Sequence, residues 1–143
     1  MDFNSLYCPL LQLWRFIMAK VILTVGNFEF EAAHNLLDYN GKCANLHGHS
    51  YKLSVSVTGE VDEKTGMVAD FGEVKKIVKS EIIDQYDHTY LNDMFEDNPT
   101  AENMVVDFWF MLHKALYEKF GSDVQLYSVK LWETSGNCAE VTV

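Results

Sequence analysis

The feature that most constrains the fold is a run of ten residues, 50–59, in which polar and apolar side chains alternate. Tyr51, Leu53, Val55 and Val57 occupy the odd positions, whereas Lys, Ser, Ser and Thr occupy even positions within 52–58. Because successive side chains of a β-strand point to opposite faces, this pattern predicts a strand with one buried and one exposed face. Such a strand is typical of an antiparallel sheet that is covered on one side only.

The remaining segments predict how this sheet is completed. Further strands are indicated at residues 21–32, 67–69 and 124–132. Apolar residues at helical spacing predict a helix that begins after Asp70 and ends near Tyr86. A second helix is expected to start in “EDNPT” and to stop before Gly121. We therefore expect an α+β fold in which an antiparallel sheet carries helices on one face.

Composition narrows the classes of function. The 143 residues carry a formal net charge of -10, which argues against non-specific binding to nucleic acids or anionic membranes. No apolar run reaches the roughly 18 residues that a membrane span requires. The three cysteines, Cys8, Cys43 and Cys138, form no CxxC pair, and they favour a reducing, cytoplasmic compartment.

Residues 1–17 differ in character from the segment that follows them. They lack the basic start and the small-residue cleavage site of a signal peptide. Met18 opens “MAKVILTV”, which would be a natural start of a domain. We expect a poorly ordered extension at 1–17 and a single domain at 18–143.

Three of the five histidines are candidates for a metal site. His47 and His49 lie two residues apart at the start of the alternating segment, so both imidazoles point to one face. His34 ends the preceding strand-like run and comes close if the two strands pair as a hairpin. Three imidazoles with a fourth position open to water or substrate form the ligand set of a catalytic zinc ion. An isolated histidine is more often structural, and His113, beside Lys114 in mid-helix, is assigned no role.

Cys43 lies four residues before His47 and directly after Lys42, and it allows two interpretations. A thiolate near a divalent cation and a lysine has a lowered pKa, which suits a general base or a nucleophile. Alternatively, the cysteine completes a closed structural zinc site together with the three histidines. The spacing of the residues is compatible with both.

Asp87 and His88 are expected in a loop that follows the first helix. A carboxylate beside an imidazole can fix its tautomer and stabilise its cation, which makes the histidine a useful acid or base. Adjacent residues seldom face each other, so Asp87 could orient His88 or a different histidine.

Glu133 ends the last predicted strand and shares the parity of Tyr127, Val129 and Leu131. It is therefore expected to project from the apolar face, where a charge needs a partner. A heterocycle with two adjacent N–H donors would satisfy the carboxylate in bidentate fashion. The alternative is that a glutamate at a strand end simply reaches solvent.

The chain contains six motifs in a fixed order: “FEAAHNL”, “CANLHGHSYKLSVSVTG”, “GMVADFGEVK”, “YDHTYLN”, “NPTAENM” and “WET”. Their order and spacing resemble the 6-pyruvoyltetrahydropterin synthase family, and the resemblance runs from about residue 21 to 134. It implies the tunnelling fold, an antiparallel four-stranded sheet with two helices packed on one face. It also implies trimers with a β-barrel core, stacked in pairs into a homohexamer with active sites at subunit interfaces.

The same resemblance implies the chemistry of the candidate residues. The residues that match the zinc ligands are His34, His47 and His49. Cys43 matches the catalytic base, and Asp87 and His88 match its acid–base partners, which are contributed at the interface.

Members of the family act on 7,8-dihydroneopterin triphosphate, which the resemblance therefore implies as the substrate. Glu133 matches the carboxylate that anchors the pterin ring. Thr100 and Glu102 lie in the first turn of the second helix, where capping and the helix dipole explain them, and they are also candidates for substrate binding. The lysines expected to bind the triphosphate are Lys20, Lys42 and Lys52.

The length of the loop between Cys43 and His47 separates branches of the family. The short form C-x-x-x-H-G-H resembles the bacterial queuosine-pathway branch, which makes 6-carboxy-5,6,7,8-tetrahydropterin and releases acetaldehyde. The biopterin branch usually has two more residues here, and a folate-related branch has Glu in place of Cys43. Two alternatives remain open at this point: a synthase that stops at 6-pyruvoyltetrahydropterin, and a non-catalytic pterin-binding module with a structural zinc ion. The tail beyond Cys138 matches none of the motifs.

Overall fold

The alternating segment forms most of strand β2 (His47–Gly59), which lies at the centre of the sheet. The computed structural model describes residues 20–143. The predicted extension at 1–17, and residues 18 and 19 of the predicted domain, lie outside this range. β1 (Val21–His34) and β4 (Val124–Thr134) flank β2, and both pair with it in antiparallel fashion.

Two shorter strands complete the sheet at its edges. β3 (Thr89–Tyr90) pairs with β1, and β5 (Asn137–Thr142) pairs with β4, which gives the order β3-β1-β2-β4-β5. β3 runs parallel to β1, whereas β5 is antiparallel to β4. The α+β prediction is confirmed, but the expected four antiparallel strands are corrected to five strands in a mixed sheet. Part of the difference is the tail that matched no motif, because it folds back as β5.

The predicted short strand at 67–69 is not formed. The backbone carbonyl of Met67 accepts a hydrogen bond from the N–H of Asp62 at 2.9 Å. The Asp62 carboxylate in turn accepts from the backbone N–H groups of Lys64 and Thr65. These bonds close a local turn, so the backbone of Met67 is engaged inside a loop instead of in a strand ladder.

Tyr127 does not share the buried row with Val129 and Leu131, and the parity prediction for this residue is wrong. The register between β2 and β4 shifts so that Ser56 pairs with Ser128, whereas the next residue of β2 pairs with Leu126. Tyr127 is therefore the extra residue of a β-bulge, which reverses the alternation at that point. Leu126 is buried in its place, and Tyr127 is only half-buried.

The two predicted helices lie on one face of the sheet. α1 (Phe71–Val78) continues through a π-helical segment (Lys79–Ile83) and ends in a last α-helical turn (Asp84–Tyr86). α2 (Ala101–Phe120) begins after Thr100, whose side chain accepts from the N–H of Asn103, and Gly121 follows it with a φ of 63°. Within residues 20–143, no helix is long and apolar enough to cross a membrane.

The core lies between the sheet and the helices, and Phe108 of α2 is at its centre. The Phe108 ring is fully buried and lies 5.0 Å from that of Tyr86 and 6.3 Å from those of Phe30 and Phe95, measured between centroids. Phe30 also stacks on Tyr51 at 4.9 Å. This aromatic layer continues towards the three histidines, because the rings of His34 and His49 lie at 6.3 and 5.6 Å from Tyr51. The core therefore supports one side of the candidate site.

We predict that Phe108→Ala destabilises the protein strongly. Removing a fully buried aromatic side chain costs about 3–5 kcal/mol, because the packed rings around it cannot fill the cavity. Phe110→Ala is the matched control, since Phe110 lies on the same helix and is 68% exposed. Chemical denaturation should show a large loss of unfolding free energy for the first variant only, and equal losses for both would contradict this account of the core.

Candidate metal centre

His34, His47 and His49 lie together at one end of the sheet, on the face that carries the helices. The β1–β2 register places His34 opposite His47 and Ala32 opposite His49. One ligand atom from each histidine lies within 4.8 Å of the others, which is a spacing that could hold a metal ion. His34 is buried, whereas His47 and His49 are half-buried, so the cluster can be reached from outside.

The second ring nitrogens show which atoms are available as ligands. Nδ1 of His34 contacts the carbonyl oxygen of Pro99 at 2.7 Å, and Nδ1 of His47 contacts that of Asn45 at 2.7 Å. A carbonyl can only accept, so in the neutral rings both Nδ1 atoms are the donors and both Nε2 atoms carry lone pairs. These two Nε2 atoms are 3.1 Å apart. Two lone pairs at this distance repel each other unless a cation lies between them.

His49 completes the cluster with a nitrogen that has no other partner. Its Nε2 is buried and makes no hydrogen bond within the described residues. An unpaired buried nitrogen is costly in a protein interior. Together with the facing lone pairs of His34 and His47, this orphaned atom fits a divalent metal ion of the zinc type, which accepts neutral imidazoles.

Glu133, at the end of β4, places a carboxylate beside this cluster. Its Oε1 lies 3.6 Å from Nε2 of His34 and 3.7 Å from Nε2 of His49, and its side chain is 28% exposed. Burial lowers the pKa of His49, and the Glu133 carboxylate partly opposes that shift. A half-exposed carboxylate at these distances can attract a cation or accept hydrogen bonds from a ligand beside it.

Tyr51 is a neighbour of the site that the sequence analysis did not single out. Its hydroxyl is buried without a hydrogen-bond partner in residues 20–143, and burial followed by the Glu133 charge raises its pKa above the usual range. The sequence does contain a signal for this residue, because Tyr51 stands in a row of β2 side chains that is otherwise Leu and Val. A phenol in a core needs a hydrogen-bond partner, so its presence in that row indicates a polar group nearby.

Cys43 lies next to the cluster in sequence but does not belong to it. It occupies a short 3₁₀ turn (Lys42–Ala44) and is half-buried. The group of side chains with metal-ligand spacing contains the three histidines and not the thiol. Of the two interpretations, this arrangement favours a cysteine that is free of the metal.

Asp87 and His88 face each other although they are adjacent in sequence. Nδ1 of His88 lies 2.9 Å from Oδ1 of Asp87, and the same oxygen accepts from the backbone N–H of Glu31 at 2.9 Å. The contact is possible because His88 has a φ of 60°, a left-handed conformation in which its own N–H also donates to the carbonyl of Glu31. The Glu31 N–H, and to a lesser degree His88, lowers the pKa of the Asp87 carboxyl. Neither residue hydrogen-bonds Cys43 in the described chain.

His88 lies beside a shallow groove of about 370 Å³ at the edge of β1. Glu31 and Ser50 also line this groove, and the Ser50 hydroxyl donates to Oε2 of Glu31 at 2.9 Å. Because the His88 side chain is 78% exposed, it is available to a molecule or subunit that covers this edge.

The other predicted substrate contacts are scattered in a single chain. Thr100 caps α2, and Glu102 is exposed in its first turn. Among the lysines, Lys52 pairs with Glu29 at 3.0 Å, whereas Lys20 precedes β1 and is a whole strand away from His34. Lys42 is exposed next to Cys43.

Known proteins that are similar to this chain are all tetrahydropterin or tetrahydrobiopterin synthases in the comparisons that follow. The family described as 6-pyruvoyl tetrahydropterin synthase matches residues 23–143. The chain is 33% identical over 131 residues to a 6-carboxy-5,6,7,8-tetrahydropterin synthase of Haemophilus influenzae, covering 79% of this chain and 93% of the relative. It is 34% identical over 134 residues to a 6-pyruvoyl tetrahydrobiopterin synthase of Dictyostelium discoideum, covering 84% and 95%. The solved structure of the Caenorhabditis elegans 6-pyruvoyl tetrahydropterin synthase matches with a TM-score of 0.73 and 30% identity, covering 88% of this chain and 99% of that one.

We predict that the chain binds one zinc ion and that His47→Ala and His49→Ala each abolish tight binding. Loss of an outer hydrogen-bond partner alone typically costs about 10- to 100-fold in metal affinity, and loss of a direct ligand should cost more. His113→Ala is the control, because His113 is exposed in mid-helix. Zinc titration with a competing chelator, followed by metal analysis, measures the effect. Wild-type affinity in both site variants would contradict the assignment.

Proposed function

Because the chain belongs to the 6-pyruvoyl tetrahydropterin synthase family, we propose that it is a zinc-dependent lyase acting on 7,8-dihydroneopterin triphosphate. The proposed products are 6-carboxy-5,6,7,8-tetrahydropterin, acetaldehyde and triphosphate, a reaction of the queuosine (7-deazapurine) pathway. The observation that supports it most is the convergence of three imidazole nitrogens beside a carboxylate and a separate cysteine. The names of the relatives above support a pterin as the substrate class.

The three histidines would hold the zinc ion through their Nε2 atoms. A zinc ion in this position would polarise the side-chain oxygens of the substrate and acidify the adjacent C–H bond. The carbonyls of Pro99 and Asn45 keep the Nδ1 atoms of His34 and His47 protonated, so their Nε2 lone pairs stay directed at the cluster.

Cys43 is proposed as the base that removes the proton from the substrate carbon. Its place in a turn outside the ligand cluster supports this role, since a thiolate bound to the metal would not be free to accept a proton. This proposal excludes the closed structural site, in which the cysteine would be a fourth ligand.

Asp87 and His88 are proposed to exchange a proton with a substrate oxygen. The carboxylate accepts from Nδ1 of His88, which leaves Nε2 of the exposed ring to act as acid or base. Glu133 is proposed to accept two adjacent N–H groups of the pterin ring, and Thr100 and Glu102 are further candidates for contact with the substrate.

We also propose a homohexamer, built as a dimer of trimers, in the cytoplasm. The support for assembly is that the edge strands β3 and β5 leave unpaired backbone groups and that His88 is exposed at one of these edges. Barrel closure between subunits would remove both edges. Free Cys43 and Cys138 are compatible with a reducing compartment.

A second candidate product, 6-pyruvoyltetrahydropterin, is favoured by the biopterin-type relatives. Identity is 34% to the Dictyostelium discoideum enzyme and 38%, over 124 residues, to that of Pongo abelii, whereas it is 33% to the Haemophilus influenzae carboxypterin enzyme and 44%, over 75 residues, to a putative one of Archaeoglobus fulgidus. The short loop between Cys43 and His47 is the feature that favours the carboxypterin product.

We predict that Cys43→Ala lowers turnover by about 10²- to 10⁴-fold, which is the usual contribution of a general base. Zinc content and folding should stay at wild-type levels, because the thiol is not a ligand in this proposal. Cys138→Ala is the matched control, since Cys138 is an exposed cysteine on β5. Simultaneous loss of zinc and of the folded state in Cys43→Ala would instead support the structural zinc site.

The product assay tests the proposed function itself. Purified, zinc-loaded protein incubated with 7,8-dihydroneopterin triphosphate is expected to yield acetaldehyde and a carboxypterin in equal amounts. Chromatography with mass detection identifies the pterin, and a coupled alcohol dehydrogenase assay measures acetaldehyde. A pyruvoyl pterin without acetaldehyde would overturn the first choice in favour of the second.

A further inference from the structure

We propose that Asn92 and Asn98 are positioning residues, which fix the segment between His34 and Cys43 and thereby place the Cys43 thiol. The inference rests on the proposed function only where it treats Cys43 as the catalytic base. The segment leaves β1 at His34, turns at Asp38 with a φ of 56°, and reaches the 3₁₀ turn that carries Cys43. Most of its side chains from residue 37 to 42 are exposed, so packing alone does not hold it.

Two asparagine side chains hold one edge of this segment. Oδ1 of Asn92 accepts from the N–H of Asn35 at 3.0 Å, and Nδ2 of Asn92 donates to the carbonyl of Asn35 at 2.8 Å. Asn98 repeats the arrangement on Leu37, with distances of 2.6 Å from the Leu37 N–H and 2.9 Å to its carbonyl. Each side-chain amide therefore replaces the peptide group of a neighbouring strand. We call these four hydrogen bonds the asparagine clamp.

The opposite edge of the same segment holds the cysteine. The N–H of Leu36 donates to the carbonyl of Cys43 at 2.8 Å. In extended backbone the N–H and C=O groups of successive residues point to opposite sides. Asn35 and Leu37 thus face the clamp while Leu36 faces Cys43, and this tripeptide connects the two asparagines to the turn that carries the thiol.

The asparagines are themselves held by rigid elements. Asn92 lies in a 3₁₀ turn (Leu91–Asp93) that is anchored by the fully buried Leu91. The carbonyl of Asn98 accepts from the N–H of Thr100 at 2.8 Å and from Nδ2 of Asn103 at 2.9 Å, which ties it to the start of α2. The next residue, Pro99, supplies the carbonyl that orients His34. The loop before α2 therefore orients the His34 imidazole and also fixes the backbone that leads to the Cys43 thiol.

The side-chain amide makes both bonds of each pair. Asparagine offers a donor and an acceptor on one carbon, whereas a carboxylate only accepts and would face the carbonyl of Asn35 or Leu37 without a proton. Substitution by aspartate therefore keeps the size and one hydrogen bond and removes the other. This makes Asn92→Asp and Asn98→Asp graded tests of the clamp.

The test compares these two variants with Gln125→Glu, which also changes an amide to a carboxylate. Gln125 is exposed, its side chain makes no hydrogen bond within residues 20–143, and it lies at the other end of β4 from Trp132, which pairs with Cys138. Iodoacetamide labelling followed by peptide mass spectrometry measures the alkylation rate of Cys43, with the exposed Cys138 of the same molecule as the internal reference. Zinc content, kcat and KM are measured on the same zinc-loaded preparations.

We expect the alkylation rate of Cys43, relative to Cys138, to change severalfold in both clamp variants and not in Gln125→Glu. Zinc content should be retained, most clearly in Asn92→Asp, because Asn92 is not adjacent to Pro99. kcat should fall by about 10- to 100-fold with little change in KM, as for a reacting group that is displaced by about 1 Å. An unchanged alkylation rate in both variants would overturn the proposal, even if kcat fell.

A measurement on the wild-type protein tests the clamp even if the variants do not fold. The amides of Asn35, Leu36 and Leu37 should be protected from hydrogen exchange because all three donate. Rapid exchange at these amides would also overturn the clamp. If the protein does not turn over the pterin triphosphate, the proposed function fails, whereas alkylation and exchange still decide whether the clamp exists.

Discussion

The pairing of β1 with β2 is the constraint on which the rest of the site depends. It places His34 directly opposite His47, but it does so only because the register shifts between Val25 and Phe28. Asn27, with a φ of 65°, lies in this irregularity. The shift allows Val25 and His34 to face the helices together, although one is odd-numbered and the other even-numbered. A displacement of one residue turns every later side chain of a strand to the other face. Without the irregularity, the third imidazole would point away from the other two.

The same irregularities explain how much could be predicted from the sequence. His47 and His49 were placed on one face correctly, because alternation within a single strand needs no information about its neighbours. His34 required the hairpin to be assumed, and Tyr127 was misplaced, since no residue type in β4 marks the bulge that displaces it. The carbonyls of Pro99 and Asn45, which fix two of the tautomers, could not have been found at all. Every residue carries a carbonyl, so only the folded backbone shows which ones face an imidazole.

The proposed function places two opposite requirements on the charge at the site. A formal charge of -10, with Glu133 next to the histidines, favours a bound cation but disfavours a triphosphate. Lys52 is already paired with Glu29, and Lys20 lies at the far end of β1. Lys42 is the exposed cation next to Cys43, which makes it the better placed of the three for an anion in the same chain. In the proposed function, further positive charge would come from the zinc ion or from a neighbouring subunit.

The position of Asp87 and His88 at an edge of the sheet is compatible with the proposed assembly. The metal-ligand candidates lie on the face of the sheet that carries the helices, whereas the Asp87–His88 pair is bound to the backbone of Glu31 at the edge of β1. The strained φ of His88 is maintained by these backbone contacts, and yet its ring is 78% exposed. A conformation of this kind has a cost of about 1–3 kcal/mol, which the surrounding hydrogen bonds must offset. In the proposed assembly, another copy of the chain would bind the substrate against this edge, which would explain why the His88 imidazole is oriented at such a cost and left in solvent.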